Sequence, residues 1–350
     1  MDIFLPLITA FVLSFASVKF VHPLAVKAGL VDIPNGRKQH VGEIPLIGGV
    51  SIYLSVMMCS VWFMPGMTEL HVYLVSAAML LFIGVLDDRY DLPVRYRLVA
   101  QILVASIMIF GGGLYISHFG DLLMLGDIRL GKLGILVTVL AVVGAINAYN
   151  MIDGIDGLAG SLSAISFTAL ALLLGSSGSD WYLLPILFIA ALVAYLMFNL
   201  GWPDKRLAKI FMGDAGSMLI GLTIVWLLVI GVNGDAPSFR PVTALYIIAV
   251  PLMDMAAIMY RRIKKGDSPF KPDRDHLHHI FMRAGCTPQQ ALGCISLISA
   301  LLAGVGFIGE LVQIPESVMF FGYLVLFVTY CFVIQHIWQI LSWIRSKGLV

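Results

Sequence analysis

The sequence predicts an all-α fold, a polytopic integral membrane helix bundle, on three observations. Of its 350 residues 59% are hydrophobic and 12% charged, with a mean hydropathy of +0.94, far from the roughly 25% charged residues of soluble domains. Eleven segments approach the length of apolar chain, about 20 residues, that a bilayer crossing needs. Their periodicity is helical or absent and never strictly alternating, which favours helices over a barrel.

The first expected span, 3–21, follows MDIFLPL, which has neither a basic start nor a small-residue cleavage site, and reads as a retained anchor. Spans 46–64 and 71–86 follow, the latter closed by Asp87 and Asp88 in FIGVLDDRYDL. After 98–115, the fifth span, 133–149, runs into NAYNMIDGIDGLAG, which carries Asn147, Asn150, Asp153 and Asp156. Spans 158–175 and 181–199 lead to Asp214, in IFMGDAGS just before span 217–232. The ninth, 242–259, contains Asp254 and is followed by PDRDHLHH, with His276, His278 and His279. Spans 290–309 and 317–343 complete the set, so a single polytopic membrane domain over 1–350 is expected.

Lys and Arg collect on the cytoplasmic side of membrane proteins. Taken alternately, the loops 19–45, 87–97, 147–160, 200–216, 260–290 and the C-terminal tail hold 19 of the 22 basic residues, and the other set holds Arg129, Lys132 and Arg240. This distribution predicts an outside N-terminus, a cytoplasmic C-terminus and every polar cluster on the cytoplasmic face. The cysteines Cys59, Cys286, Cys294 and Cys331 show no pairing pattern and are expected as free thiols.

The polar clusters carry the chemistry. Asp87 and Asp88 alone fit an ordinary hydrated loop start as well as a site. In the fifth cluster, steps of three along a helix put Asn147 and Asn150 on one side, and Gly154 and Gly157 allow the chain to fold Asp156 back toward Asp153. Two acids brought together near lipid cost roughly 3 kcal/mol each near a span centre, less at its end, unless a cation joins them. Oxygen donors from Asp and Asn without cysteine favour Mg²⁺ or Mn²⁺ over zinc or iron. Asp214, between Gly213 and Gly216, fits as a further ligand or as a helix cap. The histidines could bind zinc, but beside Arg261, Arg262, Lys264, Lys265, Lys271 and Arg274 they fit better as donors to phosphates. Metal-binding acids and a basic, histidine-bearing loop at one face describe phosphoryl transfer with a lipid substrate. No Walker-type phosphate loop is present to support ATP hydrolysis.

Asp87-Asp88, the Asn147 to Asp156 cluster, FMGDAGS and PDRDHLHH, in this order, resemble the polyprenyl-phosphate N-acetylhexosamine-1-phosphate transferase family over essentially the whole chain. The stretch PLMDMAAIMYRRIKKGDSPFKPDRDHLHH is similar to the bacterial branch that uses N-acetylglucosamine in Gram-negative surface-polysaccharide synthesis. Leu277 interrupts the three consecutive histidines of the related muramoyl-pentapeptide branch. The resemblance implies transfer of N-acetylglucosamine 1-phosphate from UDP-N-acetylglucosamine to undecaprenyl phosphate, giving undecaprenyl diphosphate N-acetylglucosamine and UMP with Mg²⁺ or Mn²⁺. This would be an initiating lipid-linked step of O antigen or enterobacterial common antigen type synthesis, in the bacterial inner membrane. It further implies that Asp214 and Asn150 are metal ligands and that Asp87 and Asp88 act at the acceptor phosphate. Asp153 and Asp156 would arrange the nucleotide sugar, with His276, His278, His279 and Arg274 around its diphosphate or sugar. Asn147, Arg97 and Lys38 complete the expected substrate-binding set, and His279, with the four aspartates 87, 88, 153 and 156, the catalytic one. Nothing calls for a nucleic-acid partner, and a homo-oligomer is compatible with the sequence. The competing class is a proton- or cation-coupled transporter, which should hold its acids near the bilayer midplane between related halves; here they gather at one face and no internal repeat is visible.

Overall fold

The computed structural model describes residues 3–34, 42–234, 236–268 and 276–346, with side chains described as far as residue 337. The helices are α1 (Phe4–Ala28), α2 (Gly48–Phe63), α3 (Thr68–Tyr90), α4 (Val94–Ser106, continued by a π turn to Gly111), α5 (Leu133–Ile152), α6 (Leu158–Ser176), α7 (Leu183–Leu200) and α8 (Gly213–Val232). They continue with α9 (Pro241–Ile247), α10 (Ala249–Lys264), α11 (Leu277–Arg283), α12 (Pro288–Leu311) and α13 (Glu316–Ser346). Strands among the described residues amount to one antiparallel pair, β1 (Val31–Asp32) with β2 (Ile44–Pro45).

Each of the eleven apolar segments falls on helix, but the count of spans needs correction. Among the described residues nine helices are long and apolar enough to cross a membrane, or ten if α9 and α10 count as one broken span. The shortfall is α2, whose 16 residues are fewer than a straight crossing takes. Met64 precedes Pro65, and the proline ring drives the residue before it out of the helical region; Met64 accordingly has φ −125° and ψ 51°. The segment 242–259 is likewise not one rod. It bends by 81° between α9 and α10, because the ring of Pro251 excludes the carbonyl of Ile247, four residues back, and offers it no N–H.

The core is organised around α8, buried along nearly its whole length and packed against α2, α3, α5 and α6. Two glycines allow this packing to be backbone to backbone. A Cβ at Gly49 of α2 would overlap the Gly216 backbone, and one at Gly84 of α3 would overlap Ala215. The approach at Gly84 has a direct consequence: Asp88, one helical turn further along α3, arrives at the first amides of α8. Phe211 also joins the β2 end of the chain, donating its N–H to the Pro45 carbonyl at 2.9 Å and accepting from Gly48 at 2.9 Å. The C-terminal ends of α3 and α5 and the N-terminal end of α8 thereby meet at one end of the bundle.

Candidate active site

Asp88 caps α8. Its Oδ1 accepts the Asp214 amide at 2.7 Å and its Oδ2 the Ala215 amide at 3.1 Å. The first amides of a helix lack partners within it and carry its positive dipole end, so a carboxylate is favoured there. The turn depends on Gly213, whose φ of +73° is one that L side chains rarely adopt, and where a Cβ would press on the Asp88 carboxylate. The capping role considered for Asp214 therefore belongs to Asp88, and the Asp214 side chain is released for other contacts.

Those contacts join the other clusters. Asn150, on the last turn of α5, donates through Nδ2 to Asp214 Oδ1 at 2.6 Å and to Ser217 Oγ at 3.0 Å. Arg97 of α4 lies with Nη1 3.4 Å from Asp214 Oδ2 and 3.1 Å from Asp87 Oδ2. Asp87 also accepts the Leu92 amide at 2.8 Å, which fixes the turn between α3 and α4. In this arrangement Arg97 is a counter-ion shared by two of the expected site acids, and the Asn150 amide presents nitrogen, not oxygen, to Asp214. Asn147, one turn deeper, donates to Gln101 Oε1 and to the Val143 carbonyl, both at 2.8 Å. The two asparagines thus hold the same helix to different neighbours, α8 and α4.

Beyond α5 the chain breaks at Gly154 and restarts at Gly157, whose φ is +78°. Asp153, on this connection, has its carboxyl pushed up to about 7 by burial, reinforced by the negative charges of Asp214 and Asp156. Asp156 stands on the rim, paired with Lys209 Nζ at 2.6 Å. Asn199 secures the turn, accepting the Gly157 amide at 2.6 Å and donating to the Ile210 carbonyl at 2.9 Å.

The histidines approach from the other side. His276 precedes α11, and His278 and His279 lie in its first turn. Their rings form a row: His276 and His278 have centroids 5.7 Å apart and are nearly parallel, and His278 and His279 are 4.2 Å apart. Leu277 does not scatter them, because one residue past a helix start the backbone direction changes enough to bring positions 276 and 278 alongside. His278 is almost fully buried and sits in the space that a Cβ on Gly154 would take. Burial, followed by the neighbouring His279 and His276, lowers its pKa to about 3, and neither ring nitrogen has a hydrogen-bond partner among the described residues. A neutral imidazole with one unused donor and one unused acceptor thus lies against Gly154, the residue after Asp153. Lys38 and Arg274 lie outside the described residues.

The structure therefore brings Asp87, Asp88, Arg97, Asn150 and Asp214 into one bonded network, with Asp153 against it and the histidine row joined through Gly154. Four further residues serve it. Ser217 falls three positions after Asp214 and shares its helical side, which GDAGS made visible. Lys209 stands close before the same motif, as one of several basic residues. Gln101 is a lone amide in an apolar span, a mark of an internal partner. Asn199 closes α7 with no flanking motif and gave no signal.

Residues 70–232 match glycosyl transferase family 4. Curated relatives align almost end to end. A Pasteurella multocida protein named undecaprenyl-phosphate alpha-N-acetylglucosaminyl 1-phosphate transferase is 47% identical over 342 residues, 97% of this chain and 96% of its own. Proteins of the same name from Haemophilus influenzae and Escherichia coli K12 are each 44% identical, over 97% of this chain and 96% and 93% of theirs.

Proposed function

This chain belongs to glycosyl transferase family 4, and from that premise we propose that it transfers N-acetylglucosamine 1-phosphate from UDP-N-acetylglucosamine to undecaprenyl phosphate, releasing UMP. An oxygen of the lipid phosphate attacks the sugar-linked phosphorus, a new P–O–P bond forms, and the bond between the two phosphates of the nucleotide breaks. UMP leaves with the bridging oxygen. The observation that carries this reading is the convergence of Asp88, Asp214, Asn150 and Asp153 at the start of α8, beside an unengaged His278. The names of the relatives that align over 97% of the chain support the substrates.

A phosphate monoester has a second pKa near 6, so the acceptor is mostly dianionic at neutral pH and needs little help from a general base. Both oxygens of Asp88 are held by amides, which speaks for direct displacement over a covalent aspartyl phosphate. Arg97, between Asp87 and Asp214, offsets negative charge where two phosphates would meet. The neutral His278 is suited to donate a hydrogen bond to a phosphate or sugar oxygen, and burial keeps water from competing.

The donor set fits a hard cation. Asp214 and Asn150 would be its oxygen ligands once the Asn150 amide, which here donates through Nδ2 to Asp214, is turned over, and among the described residues no group of three or more His, Cys, Asp and Glu side chains forms a ready-made metal site. Mg²⁺ commonly takes one or two carboxylates and draws its remaining ligands from water and substrate phosphates, and Mn²⁺ accepts the same ligands. When bound, such an ion would neutralise charge on the transferred phosphate. The excess of Lys and Arg at this end supports a cytoplasmic site in an inner membrane.

A transporter reading finds less support, since the acids collect at one end of the bundle. The test is to incubate the purified protein with undecaprenyl phosphate and a panel of UDP-sugars and weigh the lipid product. A mass gain of N-acetylhexosamine phosphate with UDP-N-acetylglucosamine alone sustains the proposal, and no product with any UDP-sugar refutes it.

A further inference from the structure

Asp254 is an acid inside a membrane-crossing segment, buried at 2% exposure, and the reaction does not use it directly. A carboxylate placed there needs strong partners. It has three. Its Oδ2 lies 3.0 Å from His276 Nδ1, and its Oδ1 accepts the Leu277 amide at 3.1 Å and the Tyr330 hydroxyl at 2.7 Å. Two of these partners belong to the chain entering α11, so the carboxylate grips both the ring at position 276 and the backbone that carries the next two histidines. From His276 the row continues through His278 to Gly154 and Asp153.

We propose that Asp254 is a positioning residue for the transfer reaction, acting through His276: it fixes the ring by Nδ1 and thereby sets the histidine row against the Asp153–Gly154 connection. An anionic acceptor at Nδ1 requires a proton on that nitrogen, so the carboxylate chooses the tautomer as well as the orientation of the ring. Tyr330 serves the carboxylate and not the histidine, since its bond goes to the oxygen that faces the Leu277 amide. The inference rests on the proposed transfer of a sugar phosphate from a UDP-sugar.

The test is a double-mutant cycle on the full-length protein, with purified UDP-N-acetylglucosamine and undecaprenyl phosphate. Asp254→Asn keeps the shape but replaces the anion facing His276. It should lower kcat/KM for the nucleotide sugar about tenfold to a hundredfold, the range of a misplaced buried donor, and leave KM for the lipid phosphate within about twofold. Asp254→Glu, which restores the charge, should recover part of the loss. The decisive value is the combination with His276→Ala: if Asp254 acts through His276, the double variant is no slower than His276→Ala alone. Multiplied effects of the two changes would overturn the proposal, as would a loss in Asp254→Asn that merely follows the amount of folded protein. If Asp254→Asn does not fold, Tyr330→Phe decides instead. It should keep kcat/KM within about threefold of wild type, and a loss as large as that of His276→Ala would overturn the proposal. A wild-type protein inactive with every UDP-sugar would refute the transferase reading, whereas an active wild type with an unaffected Asp254→Asn would refute only the positioning role.

Discussion

Replacing Asp88 should destabilise the ligand-free protein as well as slow it, because its carboxylate is part of the fold. In Asp88→Ala the amides of Asp214 and Ala215 lose their acceptors, at 2.7 and 3.1 Å. A charge-assisted bond to a partly buried amide contributes about 1–2 kcal/mol, and a negative group at a helix N-terminus adds about 0.3–1 kcal/mol. Removing the carboxylate also relieves its desolvation on burial and its repulsion from Asp214 and Asp87, each of order 1 kcal/mol at effective dielectric values between protein and water. The capping loss still wins, and the net cost is about 0.5–3 kcal/mol. Asp88→Asn should recover little, since its amide keeps one acceptor but sets an N–H against the second donor. The assay is thermal unfolding in detergent without substrates, run on both variants and on Asp87→Asn for reference. An Asp88→Ala protein at least as stable as wild type, yet inactive, would refute this reasoning and make Asp88 a group that waits for substrate.

Gly84→Ala places a methyl group on the Ala215 backbone; with no flexible side chain to yield, it should cost about 1–3 kcal/mol and abolish turnover, and an active variant of normal stability would show that α3 can shift away from α8. The buried His278 titrates near 3 in the fold and near 6.5 when unfolded, so between these values the unfolded chain binds the extra proton. Its contribution to stability is complete above about pH 6.5 and is lost as pH falls toward about 3, at up to about 1.4 kcal/mol per pH unit; His278→Leu should flatten the acid side of the stability curve, and an unchanged slope would contradict the burial. Exhaustive chelation should remove activity and Mg²⁺ or Mn²⁺ should restore it, whereas full turnover after chelation would exclude the proposed role of Asp214 and Asn150. If the lipid phosphate is its own nucleophile, the acid limb of the rate should follow an apparent pKa near 6 and persist in Asp87→Asn; its loss there would identify Asp87 as the titrating base.

The helical fold was legible because a bilayer crossing demands a long apolar run, and each such run, from Phe4–Ala28 to Glu316–Ser346, is a helix. The exceptions were also written in the chain. Pro65 shortens α2 and Pro251 breaks the ninth segment, but an apolarity count gives proline no weight. The site was legible as a set of clusters and not as a network. Asp88 and Asp214 are 126 residues apart, and nothing local in either motif says which one caps α8. That depends on Gly84 and Gly49, whose role is to let helices touch, and a glycine in an apolar run looks the same whether or not another backbone lies against it. Asn199 was invisible for a related reason: its partners, Gly157 and Ile210, bond through backbone atoms, which any residue possesses.

The network also explains how so many acids share one end of a membrane bundle. Each of four is answered by a different device: the amides of α8 for Asp88, Arg97 and the Leu92 amide for Asp87, Asn150 and Arg97 for Asp214, and Lys209 for Asp156. Asp153 has no such partner among the described residues, and burial, reinforced by the negative charges of Asp214 and Asp156, pushes its carboxyl up to about 7. An acid close to half-protonated at neutral pH takes its full charge only when something positive arrives beside it. Asp153 lies between the Asp214 network and the His278 that rests on Gly154, so a cation or a donor group of the substrate entering there would meet a carboxylate whose proton leaves easily. The fold thus supplies partners to four of these acids and, among the described residues, none to Asp153, so a positive or hydrogen-bond-donating group of a ligand would supply there what the protein does not.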